Sequence, residues 1–451
     1  MAYGRTADAG RPRPARVRSA GLCATGSGDG RGAGRGCGAG PARLSWNPGP
    51  SSIPDPPPTA PSPPPHPDRA RPARPGFRHE RGRSASRAAQ PLPRVPRVAS
   101  WCQRPPSQGR VSVSVPRTAI VMPGVGSYVP GALRRLQDRP AVRDTLDEVD
   151  DAVGDRATLP ASRLLVDPHA PDAHELMDRH ELALHLAIYA GALAAFRLLE
   201  GDFGIRPDVL LGHSLGEMAA LAGAGVFTAG DGARLYLARA AACTLHTSDP
   251  GGLLTLRLAP GHTLELLCSA QLPGLDLACD NSAKHTVVSG PDESLATFAA
   301  LAERRAVASK PLTVRTLFHN RLRESAATEW RRLGGDVGFR APRYPVYSPL
   351  LGRDYADERE LRDGVVGQLR HPVRYRNAVT TLRERGIEVF VETGARDVLG
   401  AFARAADPRV RTAVPVAAGA DVAGVAGTLR ACGLLPLDPA ALADPSGVPT
   451  G

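Results

Sequence analysis

The sequence predicts an α/β protein in which a small ferredoxin-like β-α-β-β-α-β unit interrupts a larger domain, behind a long tail that builds no core. Three observations carry this expectation. From about residue 116, apolar runs of strand length and of helix length follow one another. One such strand, Val209-Leu210-Leu211, runs directly into Gly-His-Ser-Leu-Gly at residues 212–216 and then into a helical stretch. Strand, sharp Ser-bearing turn and helix form a nucleophile elbow, so the large part is expected to be α/β-hydrolase-like. Residues 1–115, by contrast, show no apolar period.

That tail is dominated by Arg, Pro, Gly, Ser and Ala, with runs such as Pro63-Pro64-Pro65. It cannot bury enough apolar surface to offset its ordering entropy, and disorder is expected over 1–115. It holds 19 Arg, no Lys and 5 acids, so the chain's net charge of +11 belongs to it. The remainder carries 37 basic against 40 acidic residues. A basic tail is able to meet nucleic acid through phosphate contacts, but little aromatic interleaving and no recognisable module accompany it, so that partner is not expected. Lys occurs only at Lys284 and Lys310, as in the product of a GC-rich genome. Arg/Pro/Gly-rich text is also what an upstream reading frame encodes there, and translation is expected to begin near Val111–Val115.

Order begins with a strand at Ala119–Met122 and the turn Pro123-Gly124-Val125-Gly126. A buried helix is expected around Leu176–Leu199, then the elbow, then a helix through Met218–Ala224. Residues of about 252–316 read as strand (Leu253–Leu258), helix (Thr263–Ser269), strand (Leu275–Cys279), strand (Thr286–Ser289), helix (Glu293–Arg304) and strand (Ala306–Val314), the order of the inserted unit. A helix after His319 and a strand at Val389–Val391 return the chain to the large domain, which should extend to about residue 440. A Pro/Gly/Asp-rich tail over 441–451 is expected to fray.

The seven Cys form no C-x-x-C pair and no metal-ligand spacing, so reduced core thiols and no metal are expected. No apolar stretch approaches the length of a membrane span, and the N-terminus lacks the apolar segment of a secretory signal. A cytoplasmic location follows.

A Ser hydroxyl becomes a useful nucleophile only when a base takes its proton and donors receive the developing oxyanion. The elbow exposes Ser214 and aims the Leu215 N–H at the reacting carbonyl oxygen. A bare G-x-S-x-G is a weak signal, but its place between an apolar strand and a helix makes it a strong one. His213 beside the nucleophile either supports the elbow by hydrogen bonding or packs structurally. Read alone, His319 is as ordinary as any solvated histidine, and Arg239 as any surface Arg on a helix.

Several motifs in one order change that. Gly-His-Ser-Leu-Gly-Glu (212–217) resembles the active-site motif of malonyl-CoA:acyl-carrier-protein transacylases and of polyketide synthase acyltransferase domains. The resemblance extends over about residues 118–415. It includes Pro123-Gly124-Val125-Gly126-Ser127, Asn281-Ser282, Val287-Val288-Ser289-Gly290-Pro291, Phe318-His319, Gln368-Leu369 and Val391-Glu392-Thr393-Gly394. It implies that His319 is the general base towards Ser214, oriented by the Gln368 backbone carbonyl instead of an Asp. It implies that Val125 and Leu215 supply the oxyanion N–H groups, and that Arg239, 25 positions after Ser214, clamps the carboxylate of a malonyl group. Val125 stands where the family has Gln, which leaves the backbone donor but changes the side chain. Glu181 falls near a family Gln, but it reads as a solvated helix-face residue.

Leu215 and Phe318 resemble malonyl-selective members; a bulky residue at 318 crowds an α-methyl group. The resemblance therefore implies a two-step transfer of malonyl from a coenzyme A thioester, through Ser214, to the phosphopantetheine thiol of an acyl carrier protein. Malonyl-CoA is then a substrate, and no metal or redox cofactor is required. The alternatives are an editing acyl-hydrolase on the same fold, or a transferase for methylmalonyl or another extender unit.

Overall fold

Thr118–Met122 forms β1, five residues whose side chains are all buried. An apolar run without alternation marks a strand covered on both faces, as parallel sheets are. β1 pairs in parallel with β2 (Val209–Gly212) on one side and with β9 (Val389–Glu392) on the other, so Ile120 lies opposite both Leu210 and Val391. The computed structural model describes residues 115–246 and 250–436. The expectations for residues 1–114 and from 437 onwards fall outside them.

The remaining strands, in chain order, are β3 (Gly251–Leu256), β4 (Asp276–Ser282), β5 (His285–Pro291), β6 (Ser309–Pro311), β7 (Val346–Ser348), β8 (Arg353–Asp354) and β10 (Arg411–Ala413). They build two sheets. The large one runs β10-β9-β1-β2-β7-β8, parallel except for the antiparallel edge strand β8. From β1 the chain moves to β2 and β7 on one flank and later to β9 and β10 on the other. The carboxyl ends of β1 and β2 thus open on a topological switch point, where open α/β sheets place their sites.

Helix Glu181–Gly201 packs into the core of this layer. The sequence was expected to hold no apolar stretch near membrane-span length, and this helix of 21 residues corrects that: an 18-residue window within it has a mean hydropathy of 1.8, long and apolar enough. Its apolar side chains are instead covered all round by neighbouring helices and the sheet, which is why it lacks a polar face. The helical stretch expected at Leu176–Leu199 is two helices, Ala173–Arg179 and Glu181–Gly201, parted at His180.

The second sheet, antiparallel in the order β4-β5-β3-β6, carries helices Pro260–Ala270 and Asp292–Arg304 on one face. Leu254, Leu256 and Val288 point to those helices and form a separate core with Leu266 and Phe298. The alternate residues, Leu253, Thr255 and Val287, face the large domain. A bridge between Cys279 and Val373 and a bidentate pair from Arg376 to Asp280, at 2.9–3.2 Å, tie this sheet to the large domain. β6 is shorter than the expected strand over 306–314, because the chain leaves the sheet after Pro311. Cys279 is buried as expected of a core thiol, whereas Cys268 is exposed.

Candidate active site

The turn between β2 and helix Gly216–Gly223 is tight enough to exclude side chains at two positions. A Cβ on Gly216 would lie 1.9 Å from the Met122 carbonyl oxygen, and one on Gly212 would lie 2.1 Å from the Glu217 Cα. Both glycines of G-x-S-x-G are therefore steric requirements of the turn. Ser214 between them adopts φ 54°, in the left-handed region. A non-glycine residue held there costs on the order of 1–3 kcal/mol and persists only where its surroundings over-determine it.

His319 has the same unusual backbone, φ 56°. The buried Asn320 holds it there: its N–H donates to the Leu369 carbonyl, and its side-chain amide donates to the carbonyls of Gly274 and Ser289. The His319 Nε2 stands 2.8 Å from the Ser214 Oγ, and its Nδ1 stands 2.8 Å from the His371 carbonyl oxygen. A carbonyl only accepts, so Nδ1 carries the proton and Nε2 presents its lone pair to the hydroxyl. Burial is the largest influence on the imidazole and pushes its pKa down to about 3, against the opposing pull of the His371 carbonyl. His213 and Arg239 nearby add to the depression. The ring is therefore neutral and ready to accept a proton at neutral pH.

The orienting carbonyl corrects the expectation for Gln368. Helix Glu358–Gly367 ends in a tight turn in which the N–H groups of Arg370 and His371 both donate to the Gly367 carbonyl. That turn carries the chain round, so the carbonyl three residues beyond Gln368 meets His319. Gln368 itself is buried, with its side-chain nitrogen unpartnered.

A cavity of about 220 Å³ lies over Ser214 and is lined by Val125, Leu215, Phe318 and His319 among others. Among the described residues neither the Val125 nor the Leu215 N–H donates to a protein acceptor. Two free donors beside a positioned hydroxyl and a neutral imidazole are what a tetrahedral oxyanion needs. Val125 is half-exposed at the cavity rim.

Arg239 does not line this cavity. It sits 6% exposed in an adjoining one of about 560 Å³, together with Glu181 and His185. The Phe318 ring belongs to both walls and lies 4.4 Å from the guanidinium carbon. Tyr236 and Trp330 flank the cation at 5.9 and 6.0 Å. Arg239 makes no ion pair among the described residues, and its Nε is buried without an acceptor. Glu181 keeps a partly exposed side chain, 38% accessible, and faces this second cavity, where burial raises its carboxyl pKa against the opposing pull of Arg239.

Two contributors escape sequence reading, and a third, Asn281, was singled out there only as part of a motif with no role assigned. The His371 carbonyl has no side-chain signature, since every residue carries one. Asn281 joins the two sheets: its Oδ1 accepts from the His213 Nε2 at 2.7 Å, and its Nδ2 donates to the His285 Nδ1 at 3.2 Å. His185 is a buried histidine whose pKa burial holds well below its usual value, with its Nε2 unpartnered in the Arg239 cavity.

Residues 120–431 match the family model described as acyl transferase domain. Among curated relatives, a polyketide biosynthesis protein of Burkholderia thailandensis is 34% identical over 242 residues, covering 51% of this chain and 21% of the relative. A polyketide synthase of Streptomyces halstedii is 30% identical over 289 residues, 63% of this chain and 4% of that protein. The chain thus spans a small part of the length of these relatives. Among solved structures, a malonyl-CoA:acyl carrier protein transacylase of Xanthomonas oryzae superposes with a TM-score of 0.63 at 28% identity, covering 70% of this chain and 98% of that one.

Proposed function

The chain belongs to the acyl transferase domain family, and we propose that it carries a malonyl group from coenzyme A to the phosphopantetheine thiol of an acyl carrier protein through an ester on Ser214. The hydroxyl attacks the thioester carbonyl while the His319 Nε2 takes its proton. The Leu215 and Val125 N–H groups receive the oxyanion, and one such donor is worth about 3–4 kcal/mol. The intermediate collapses with loss of the coenzyme A thiolate, which takes the proton back from His319. A carrier thiol then attacks the ester by the same route in reverse. Hydroxyl, imidazole and backbone donors complete this chemistry without a metal or redox cofactor.

The observation that carries the reading is the line Ser214 Oγ, His319 Nε2, His319 Nδ1, His371 carbonyl, with 2.8 Å at each hydrogen bond. Arg239, a buried guanidinium without an ion partner, supports an acyl group that ends in a carboxylate. Phe318 stands between it and Ser214, so the malonyl chain passes the ring edge or displaces it. The cavity of about 560 Å³ behind Phe318 favours a second reading, in which the acyl group is a larger dicarboxylic extender unit. We read the small antiparallel sheet, with the first and third strands of its unit at the centre, as ferredoxin-like.

Intact-mass measurement after incubation with malonyl-, methylmalonyl- and acetyl-CoA tests the proposal. A malonyl adduct on the native protein that is absent from Ser214→Ala supports it. No adduct from any of the three, or an adduct that persists in Ser214→Ala, overturns it.

A further inference from the structure

The chamber of about 560 Å³ behind Phe318 lies between helix Glu181–Gly201, helix Ala229–Leu245 and the segment 315–318. Its lining is unlike that of an alkyl pocket. Glu181 and His185, one turn apart on the first helix, both face it, and Arg239 faces it from the second. The His185 Nε2 stands 3.8 Å from the Glu181 Oε1, too far for a hydrogen bond. His185 is 4% exposed, and its Nε2 has no hydrogen-bond partner. Burial raises the pKa of the Glu181 carboxyl, while Arg239, a hydrogen bond with Thr316 and Arg323 favour its charged form.

Burial keeps the His185 ring neutral, so it carries one N–H. The carboxylate oxygen 3.8 Å away favours that proton on Nε2. The pair then offers an acceptor and a donor to one point in the chamber, and an oxygen about 2.8 Å from each closes the triangle. A hydroxyl satisfies both, donating to Glu181 and accepting from His185. A methyl group there satisfies neither and displaces the water that would.

That point borders the path of the acyl chain. His185 meets the Phe318 ring edge-on with centroids 6.1 Å apart, and the Arg239 guanidinium lies over the same ring at 4.4 Å. An acyl group whose carboxylate reaches Arg239 carries its α-carbon along a ring that His185 also flanks. We propose that the chamber selects a malonyl group bearing an α-hydroxyl, with Glu181 and His185 as the residues that determine this specificity. The inference rests on the proposed function and names the acyl class that its site prefers. Hydroxyl and methyl are similar in size, so crowding by Phe318 acts on both alike and only hydrogen bonding separates them. A site that bonds a substrate hydroxyl rejects the analogue without it, because its own polar groups are left unpaired.

Calorimetric binding of hydroxymalonyl-CoA and methylmalonyl-CoA to the full chain carrying Ser214→Ala tests this without requiring acylation. Hydroxymalonyl-CoA should bind about tenfold or more tightly, as one hydrogen bond to a charged group allows. Adding Glu181→Leu should bring the ratio to about one. Glu181→Gln, which keeps an acceptor oxygen, should retain part of the preference, and His185→Phe should reduce it. Equal binding of the two thioesters, tighter binding of methylmalonyl-CoA, binding of neither, or a ratio that survives Glu181→Leu overturns the inference. Any of these together with malonyl acylation of native Ser214 leaves the proposed function standing. The hydroxyl preference in a protein whose Ser214 no thioester acylates would refute the proposed function and keep the assignment of the chamber.

Discussion

Replacing Arg239 by alanine separates recognition of the acyl carboxylate from support of the fold. The guanidinium is buried, stacked on Phe318 at 4.4 Å, and has no ion partner among the described residues. If it pairs with a substrate carboxylate, Arg239→Ala removes charge-assisted hydrogen bonds worth about 1.5–3 kcal/mol, or about 10–150-fold in kcat/KM. That loss should fall on malonyl transfer alone, because an acetyl group has nothing to present to Arg239. Stability changes little: about 0.5–2 kcal/mol of ring–cation contact is lost, against relief from burying a cation that Glu181, across the same cavity, offsets only without a direct ion pair. The assay is Ser214 acylation by malonyl-CoA and acetyl-CoA, with urea unfolding of the same variant. A malonyl-specific loss in a folded protein is expected. Equal loss of both acyl groups refutes the clamp and makes Arg239 a packing residue.

Three further outcomes follow from the site and its surroundings. With the pKa of His319 pushed down to about 3 by burial, the neutral base persists to low pH, so kcat/KM for acylation should stay flat from pH 8 to about 5; an acid limb with its midpoint near 6.5 contradicts this. Phe318→Ala should join the cavities of about 220 and 560 Å³ and admit acyl groups with bulky α-substituents, at a stability cost of about 3–5 kcal/mol; an unchanged acyl scope in the folded variant, read by mass, refutes the dividing role of the ring. The buried carboxyl of Glu217, bonded to the Tyr355 hydroxyl at 2.7 Å, is raised to about 7. The folded state binds this proton more tightly than the unfolded chain, so its contribution is full below about 4.5 and is lost as pH rises through 7, by up to about 3 kcal/mol. Glu217→Gln should therefore gain on the native protein between pH 5 and 8 in urea melts, and a gap that does not vary with pH refutes it.

The elbow was legible in the sequence because its constraint is local: two glycines are excluded from carrying a Cβ, whatever the rest of the chain does. The order of strands and helices in the small sheet was legible for a similar reason, since apolar alternation is set by the pleat. His319 needed the company of other motifs, because nothing around one histidine distinguishes a base from a solvated ring. The error at Gln368 has a physical origin. A carbonyl acceptor is chosen by the path of a turn, and three residues of turn separate the expected oxygen from the one His319 meets. The pairing of His213 with Asn281 joins side chains 68 positions apart through the docking of two sheets, which no local pattern encodes. Glu181 was read as a helix-face residue and Arg239 as a carboxylate clamp through resemblance alone, and only packing reveals that they share a chamber behind Phe318. Helix Glu181–Gly201 has no polar face to reveal its surroundings, so burial inside a protein and burial in lipid read alike.

The most direct test of the central claim is a single-turnover transfer. Protein acylated by malonyl-CoA and freed of excess donor is mixed with a phosphopantetheinylated acyl carrier protein, and the masses of both proteins are followed. The malonyl group is predicted to leave Ser214 and appear on the carrier far faster than it is lost to water. Loss to water at the same rate with and without carrier, and no malonyl on the carrier, would contradict transfer and establish a hydrolase.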